Sequence, residues 1–103
     1  VPVFRSHAEW VYVETADELT VEAVRKAIDA FPGAQVQDNP AEMEYPMPLF
    51  TSEKYDCYVG RIRKDLYNPK AINLWVSGDQ IRKGAALNAL QIAEYMLAHD
   101  MIH

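Results

Sequence analysis

Cysteine, long apolar runs and clustered positive charge are scarce in this chain of 103 residues. Its single cysteine, Cys57, cannot form an internal disulfide, which fits a reducing compartment. No apolar stretch approaches the roughly 18 residues of a membrane span, and the N-terminus lacks a signal-peptide pattern. The formal net charge of -5 comes without a block of like charges, so neither nucleic acid nor a membrane is expected as partner. These absences predict a soluble, cytoplasmic protein.

The residues that are present suffice for one folded domain. Half of them (50%) are apolar and 24% are charged, a composition that disfavours disorder. The first residue is Val1 rather than Met, and VPVF is typical of a strand already under way. We therefore expect this chain to come from the inside of a longer protein, with further functional groups upstream.

The predicted elements follow the order strand, helix, strand, loop, strand, strand, helix. The first strand spans residues 9–14, where apolar side chains on both faces predict cover on both sides. Thr20 is expected to cap the first helix, which Pro32 and Gly33 end. The other predicted elements are a strand at 34–37, an extended proline-rich loop at 38–52, antiparallel strands at 55–64 and 71–77, and a helix at 79–99. This order predicts an α+β fold with a mixed β-sheet covered by helices.

The last predicted helix has a buried stripe that is small at its start and bulky at its end. Asp79 is expected to cap it. No second element of the chain obviously covers its first turns, so the spacing predicts a partner outside these residues. The stripe consists of Ala85, Ala89, Ile92 and Met96.

Histidine is the side chain best able to move protons near neutral pH. His7 stands between Arg5 and Glu9, and the residues alone leave open whether it is a catalytic base or an ordinary surface histidine. His99 and His103, in or after the last helical turn, are expected to be solvated. No group of His, Cys, Asp or Glu has ligand spacing, so no metal is expected.

Three further groups are candidates for binding or reactive residues. Cys57 lies in a strand-like run and is expected to be a small packed side chain rather than a nucleophile. The only basic cluster consists of Arg61, Arg63 and Lys64. These arginines can bind an anion such as phosphate or carboxylate, but ion pairs within the protein or a place in an interface are favoured. The stretch GDQIRKGAALNA matches no phosphate-binding loop, but Gln80 at its start can offer an amide to a ligand.

Three segments together, VPVFRSHAE, VGRIRKD and NLWVSGDQIRKGAALNALQIAE, resemble the C-terminal third of bacterial aspartate-semialdehyde dehydrogenases. The intervening AIDAFPGAQVQDNP fits the same register, so the resemblance covers nearly the whole chain. It implies an enzyme that reduces aspartyl phosphate to the semialdehyde with NADPH, on the route to lysine, threonine and methionine. It also implies a homodimer or tetramer acting on a small molecule.

The resemblance assigns two site residues within this chain. The histidine of the VPV-x-x-x-H segment, the family's acid/base catalyst, is His7, followed by Ala8 where serine is frequent. The residue after GD, which touches the nicotinamide cofactor, is Gln80. The family's substrate arginine, nucleophilic cysteine and glycine-rich dinucleotide loop lie outside the chain, and neither Arg5 nor Cys57 replaces them.

The resemblance also predicts how the chain is divided. Residues 1–78 are expected to belong to the catalytic and dimerisation domain, and residues 79–103 to a helix that returns to the missing N-terminal cofactor domain. The chain alone is expected to be inactive and poorly stable or self-associated. The alternative is a non-catalytic α+β dimerisation or ligand-sensing module that uses strands 55–64 and 71–77 as its interface.

Overall fold

A computed structural model describes residues 2–102 as a four-stranded mixed β-sheet with helices. In spatial order the strands are β1, β4, β3 and β2. The β1/β4 and β3/β4 pairs are antiparallel, whereas β2 runs parallel to β3. The predicted α+β class and mixed sheet are confirmed. The strands are β1 (His7–Glu14), β2 (Ala34–Val36), β3 (Cys57–Lys64) and β4 (Ala71–Gly78).

The first helix, α1 (Val21–Ala30), covers one face of this sheet. The Thr20 hydroxyl accepts a hydrogen bond from the amide of Ala23 at 3.1 Å, as its capping role predicts. The apolar face of α1 packs on a core centred on β3 and β4. The buried members of that core are Val59, Ile62 and Ile72. No helix within residues 2–102 is long and apolar enough to span a membrane.

The proline-rich segment 38–52 was predicted to be an extended loop. The structure shows that it contains two short helical turns. They are a 3₁₀ turn at Pro40–Glu42 and the single-turn helix α2 (Pro48–Thr51). Trp75 Nε1 donates to the Pro46 carbonyl at 2.9 Å and holds the segment against the sheet. A Cβ atom at Gly60 would collide with the Pro46 ring, so this approach requires glycine.

The prediction that β1 is covered on both sides is wrong for the part of the chain that the structure describes. Alternation places Trp10 and Tyr12 on the face opposite α1. Segment 38–52 packs over β3 and β4 on that side, and the side chains of Trp10 and Tyr12 remain 65% and 46% exposed. The sheet therefore presents an open aromatic face at β1.

The predicted continuous helix at 79–99 is also wrong in its first turns. Gln80–Gly84 forms a π-helical turn, Ala85 leaves helical geometry with φ −131° and ψ −68°, and α3 (Ala86–Ala98) follows. Gly84 has a low helix propensity, which favours a break at this point. No element among residues 2–102 buries α3, and Ala85, Ala89 and Ile92 of the predicted stripe are exposed.

The basic cluster lies at a β-bulge between Gly60 and Arg63. Arg61 adopts a left-handed φ of 50°, and its amide donates to the buried Asp38 carboxylate at 2.9 Å. The Arg61 guanidinium lies over the Tyr45 ring, 5.6 Å from its centroid. Within residues 2–102 neither Arg61 nor Arg63 forms the ion pair that one prediction favoured, whereas Lys64 pairs with Glu18.

Candidate active site

A cleft of about 200 Å³ lies where β1 begins and β4 ends. Its wall includes His7 from β1, Cys57 from β3, and Gln80 and Lys83 from the π-helical turn. The fold thus brings His7 and Gln80, the two predicted site residues, from opposite ends of the chain into one cavity.

His7 combines a fixed backbone with an exposed side chain. It is the first residue of β1 and pairs with Gly78 of β4. Its carbonyl accepts a hydrogen bond from the Ser77 hydroxyl at 3.2 Å. The preceding residue, Ser6, is buried in a left-handed conformation with φ 72°, and its hydroxyl lies 2.9 Å from that of Ser52. The imidazole is therefore accessible on an anchored main chain.

Gln80 begins the π-helical turn, and its amide oxygen has an unmet hydrogen-bonding need. Gln80 Oε1 is buried and has no hydrogen-bond partner within residues 2–102. A buried acceptor in this state costs about 1–3 kcal/mol of stability. Gln80 also lines the cleft, but its Oε1 would reach a bound molecule only after the side chain rotates.

Asp79 is fully buried beside Gln80 and binds three separate segments. It accepts hydrogen bonds from the amides of Glu53 and Ile81 at 2.6 Å and 3.0 Å, and from Arg5 Nε at 2.8 Å. Burial tends to raise the pKa of Asp79, but these two amides and Arg5 together hold the pKa below its usual value. The sequence predicted the cap to Ile81, while the contact with Arg5 had no sequence signal.

Cys57 lies in the same cleft rather than wholly inside the sheet. Its free thiol is half-buried, and burial raises its pKa more than the nearby Lys83 lowers it. Such a thiol stays protonated at neutral pH, which is unfavourable for a nucleophile. The prediction that Cys57 is a non-nucleophilic strand residue remains a prediction, although its position in the cleft was not foreseen.

The remaining candidates lie away from the cleft or outside the described chain. His99 is exposed at the end of α3 and stacks on Tyr95 with ring centroids 4.0 Å apart. His103 lies outside the described residues. Among residues 2–102, no three His, Cys, Asp or Glu side chains come together in a group that could hold a metal ion.

Comparison with known proteins identifies the family. The family profile described as "Semialdehyde dehydrogenase, dimerisation domain" matches residues 1–83. The chain is 50% identical to an aspartate-semialdehyde dehydrogenase of Prochlorococcus marinus over 97% of its own length and 29% of that protein. It is 43% identical to an aspartate-semialdehyde dehydrogenase of Aquifex aeolicus over 99% of its own length and 30% of that protein.

A solved structure agrees with these relatives. The crystal structure of aspartate semialdehyde dehydrogenase II complexed with ASA, from Vibrio cholerae, superposes with a TM-score of 0.81 at 38% identity. The match covers 95% of this chain and 29% of that one, so the chain spans less than a third of the proteins it resembles. The chain belongs to the semialdehyde dehydrogenase family and carries that family's dimerisation domain.

Proposed function

We propose that this chain is the C-terminal part of an aspartate-semialdehyde dehydrogenase that reduces aspartyl phosphate to aspartate semialdehyde with NADPH. Relatives with this name are covered over 29% and 30% of their length. The observation that carries the proposal is that His7 and Gln80 line one cleft. The product would serve lysine, threonine and methionine synthesis, a role that fits a cytoplasmic location.

His7 is the proposed acid/base catalyst. A cysteine thiol has an ordinary pKa of about 8.5, and an imidazole of pKa about 6.5 can accept its proton. The nucleophilic cysteine would belong to the N-terminal part of the enzyme. His7 would take the thiol proton as the sulfur attacks the acyl carbon and phosphate leaves. After the acyl carbon has been reduced, the imidazolium would protonate its oxygen. His7 would then take that proton back and pass it to the sulfur, as the C–S bond breaks and the aldehyde and the free thiol are released. The exposed ring on an anchored backbone suits this exchange.

Gln80 is the proposed contact to the cofactor. The reduced nicotinamide supplies the hydride when it is bound. The Oε1 of Gln80 is buried and unpartnered among the described residues, and a rotation of the side chain would let it accept from the N–H donors of the nicotinamide carboxamide. Gln80 would therefore orient the carboxamide, from a turn whose start is capped by Asp79.

The N-terminal part of the enzyme is the proposed partner of α3. A broad apolar helix surface is normally covered by another part of a protein. We assign residues 1–78 to the catalytic and dimerisation domain, and residues 79–103 to the helix that returns to the cofactor domain. The chain by itself is then inactive. The large apolar side chains that α3 exposes are Leu90, Ile92, Tyr95 and Leu97.

The open aromatic face of the sheet supports assembly as a homodimer or tetramer. Trp10 and Tyr12 are exposed there, and aromatic side chains are enriched at protein interfaces. The second candidate function is a non-catalytic dimerisation or ligand-sensing module, predicted to use strands 55–64 and 71–77 as its interface. Segment 38–52 packs over one face of those strands, so the exposed face of β1 would serve such a module instead. The two candidates differ in His7, which only the enzyme needs.

Replacing His7 with Gln in the full-length enzyme tests the proposal. We expect turnover to fall by about a hundred-fold or more, the usual effect of losing a general base. The melting temperature should hardly change, because the His7 side chain is exposed. His99→Gln is the matched control, since His99 is also exposed but lies outside the cleft. Equal turnover in the two variants would show that His7 is not the acid/base catalyst.

A further inference from the structure

The buried carboxylate of Asp79 connects the two walls of the cleft. Its Oδ1 accepts a hydrogen bond from the amide of Ile81, which directly follows Gln80. Its Oδ2 accepts from Arg5 Nε, two residues before His7, and from the amide of Glu53. One side chain thereby holds the segment that presents His7 and the turn that presents Gln80.

We propose that Asp79 is a positioning residue that fixes His7 and Gln80 relative to each other across the cleft. The inference rests on the proposed function, because it concerns the geometry of the residues assigned to catalysis and cofactor binding. Asp79 has no assigned contact with substrate or cofactor. It acts through Arg5 on one side and through Ile81 on the other.

The wall of the cleft that carries His7, residues 5–7, needs such an anchor because its backbone is strained. Ser6, between Arg5 and His7, has φ 72°, and a non-glycine residue persists in this region only where its surroundings impose it. The Ser6 hydroxyl lies 2.9 Å from that of Ser52, while Arg5 is fixed by the Asp79 carboxylate. Loss of the Arg5 anchor would let this segment relax and shift the imidazole.

The Gln80 wall depends on the same carboxylate through the cap of the π-helical turn. Ile81 N donates to Oδ1, and the Asp79 carbonyl accepts from the amides of Arg82 and Lys83 at 3.1 Å and 2.8 Å. These bonds fix the backbone on both sides of Gln80. Shifts of about 1 Å in a catalytic group can lower rates by about a hundred-fold.

Asp79→Asn is the decisive substitution because it keeps the shape but changes one acceptor into a donor. In either amide orientation, an NH₂ group faces the Ile81 amide or the donors of Glu53 and Arg5. In the full-length enzyme we expect kcat to fall by about ten-fold or more. We also expect NADPH affinity, measured by fluorescence titration, to fall by about five-fold, since Gln80 moves with its turn.

Asp65→Asn is the matched control. Asp65 also accepts two backbone amides, from Tyr67 and Asn68 at 3.0 Å and 3.1 Å, but it does so in the turn at the other end of β4. Its substitution should lower the melting temperature and leave kcat and NADPH affinity unchanged. If Asp79→Asn behaves in the same way, Asp79 is only structural and the inference is wrong.

Arg5→Gln tests the contact of Asp79 with the His7 segment separately from its contact with the Gln80 turn. It also tests the positioning role if Asp79→Asn does not fold. Arg5 lies in the His7 segment, and Arg5→Gln leaves the amides of Glu53 and Ile81 bound to the Asp79 carboxylate. We therefore expect kcat to fall more than NADPH affinity does. An unchanged kcat in folded Arg5→Gln would overturn the inference. Full turnover in His7→Gln would instead overturn the acid/base role on which the inference rests, whereas an inactive His7→Gln beside a fully active Asp79→Asn would overturn the positioning role alone.

Discussion

Asp79 and Cys57 lie in the same cleft, yet they are expected in different ionisation states at neutral pH. Burial raises the pKa of both groups. Asp79 has three N–H donors from Glu53, Ile81 and Arg5, which outweigh burial and keep the carboxylate charged. For Cys57 only the charge of Lys83 opposes burial, and it is too weak to reverse the shift. An ordinary carboxyl has a much lower pKa than an ordinary thiol, and the hydrogen-bond donors at Asp79 and the burial of Cys57 widen that difference.

Cys57→Ser in the full-length enzyme should therefore leave turnover within about two-fold of the parent, because a thiol with a raised pKa is a poor nucleophile. A modest fall in melting temperature is expected, since Cys57 Sγ packs close to Gly78. Steady-state kinetics and thermal melts of the variant check both statements. A folded but inactive Cys57→Ser enzyme would show that Cys57 takes part in the chemistry.

At this scale the sequence predicted some residues and missed others for a physical reason. His7 and Gln80 were assigned through the resemblance, and the cap by Asp79 follows from its position before a helical segment. The contact between Arg5 and Asp79 joins residues 74 positions apart in sequence. Local patterns contain no information about such a contact, so only the folded chain reveals it.

At the scale of the element, α1 offers a test of local stability. Thr20 Oγ1 accepts from the amide of Ala23, and Thr20→Ala removes this acceptor. We expect a loss of about 1 kcal/mol in the free energy of unfolding of the full-length enzyme. Thr20→Ser, which keeps a hydroxyl, is the control and should stay close to the parent. Equal loss in both variants, measured by chemical denaturation, would mean that the cap contributes nothing.

The elements that the sequence predicted least well are those whose local conformation depends on tertiary contacts. Proline at 40 and 48 suggested an extended loop, but proline is also well tolerated in the first turn of a helix, where these two residues lie. The spacing over 79–99 predicted the helix that forms at Ala86–Ala98. It did not predict the π-helical turn, whose start is held by the buried Asp79.

At the scale of the whole molecule, two of the apolar surfaces that residues 2–102 leave exposed bear on assembly. One is α3, which has no buried residue, and the other is the aromatic face of β1. The sequence predicted the exposure of α3, because no other predicted element could cover the stripe of small residues on that helix. It failed at β1, since alternation shows that both faces are apolar but not what covers each of them. Both surfaces fit a chain that spans less than a third of its relatives.

Trp10 provides the test of the sheet face as the dimer interface. Its ring is 65% exposed in the centre of β1, and Nε1 donates to Asn73 Oδ1 at 3.0 Å, which orients it. Tryptophan at such a position is typical of residues that dominate interface energies, by about 2 kcal/mol or more. Trp10→Lys in the full-length enzyme should therefore raise the dimer dissociation constant at least about thirty-fold. Leu66→Lys, at a 90% exposed apolar residue in the turn between β3 and β4, is the control. Sedimentation velocity should show dissociation for Trp10→Lys alone, and a Trp10→Lys enzyme that stays as tightly dimeric as the Leu66→Lys enzyme would place the interface elsewhere.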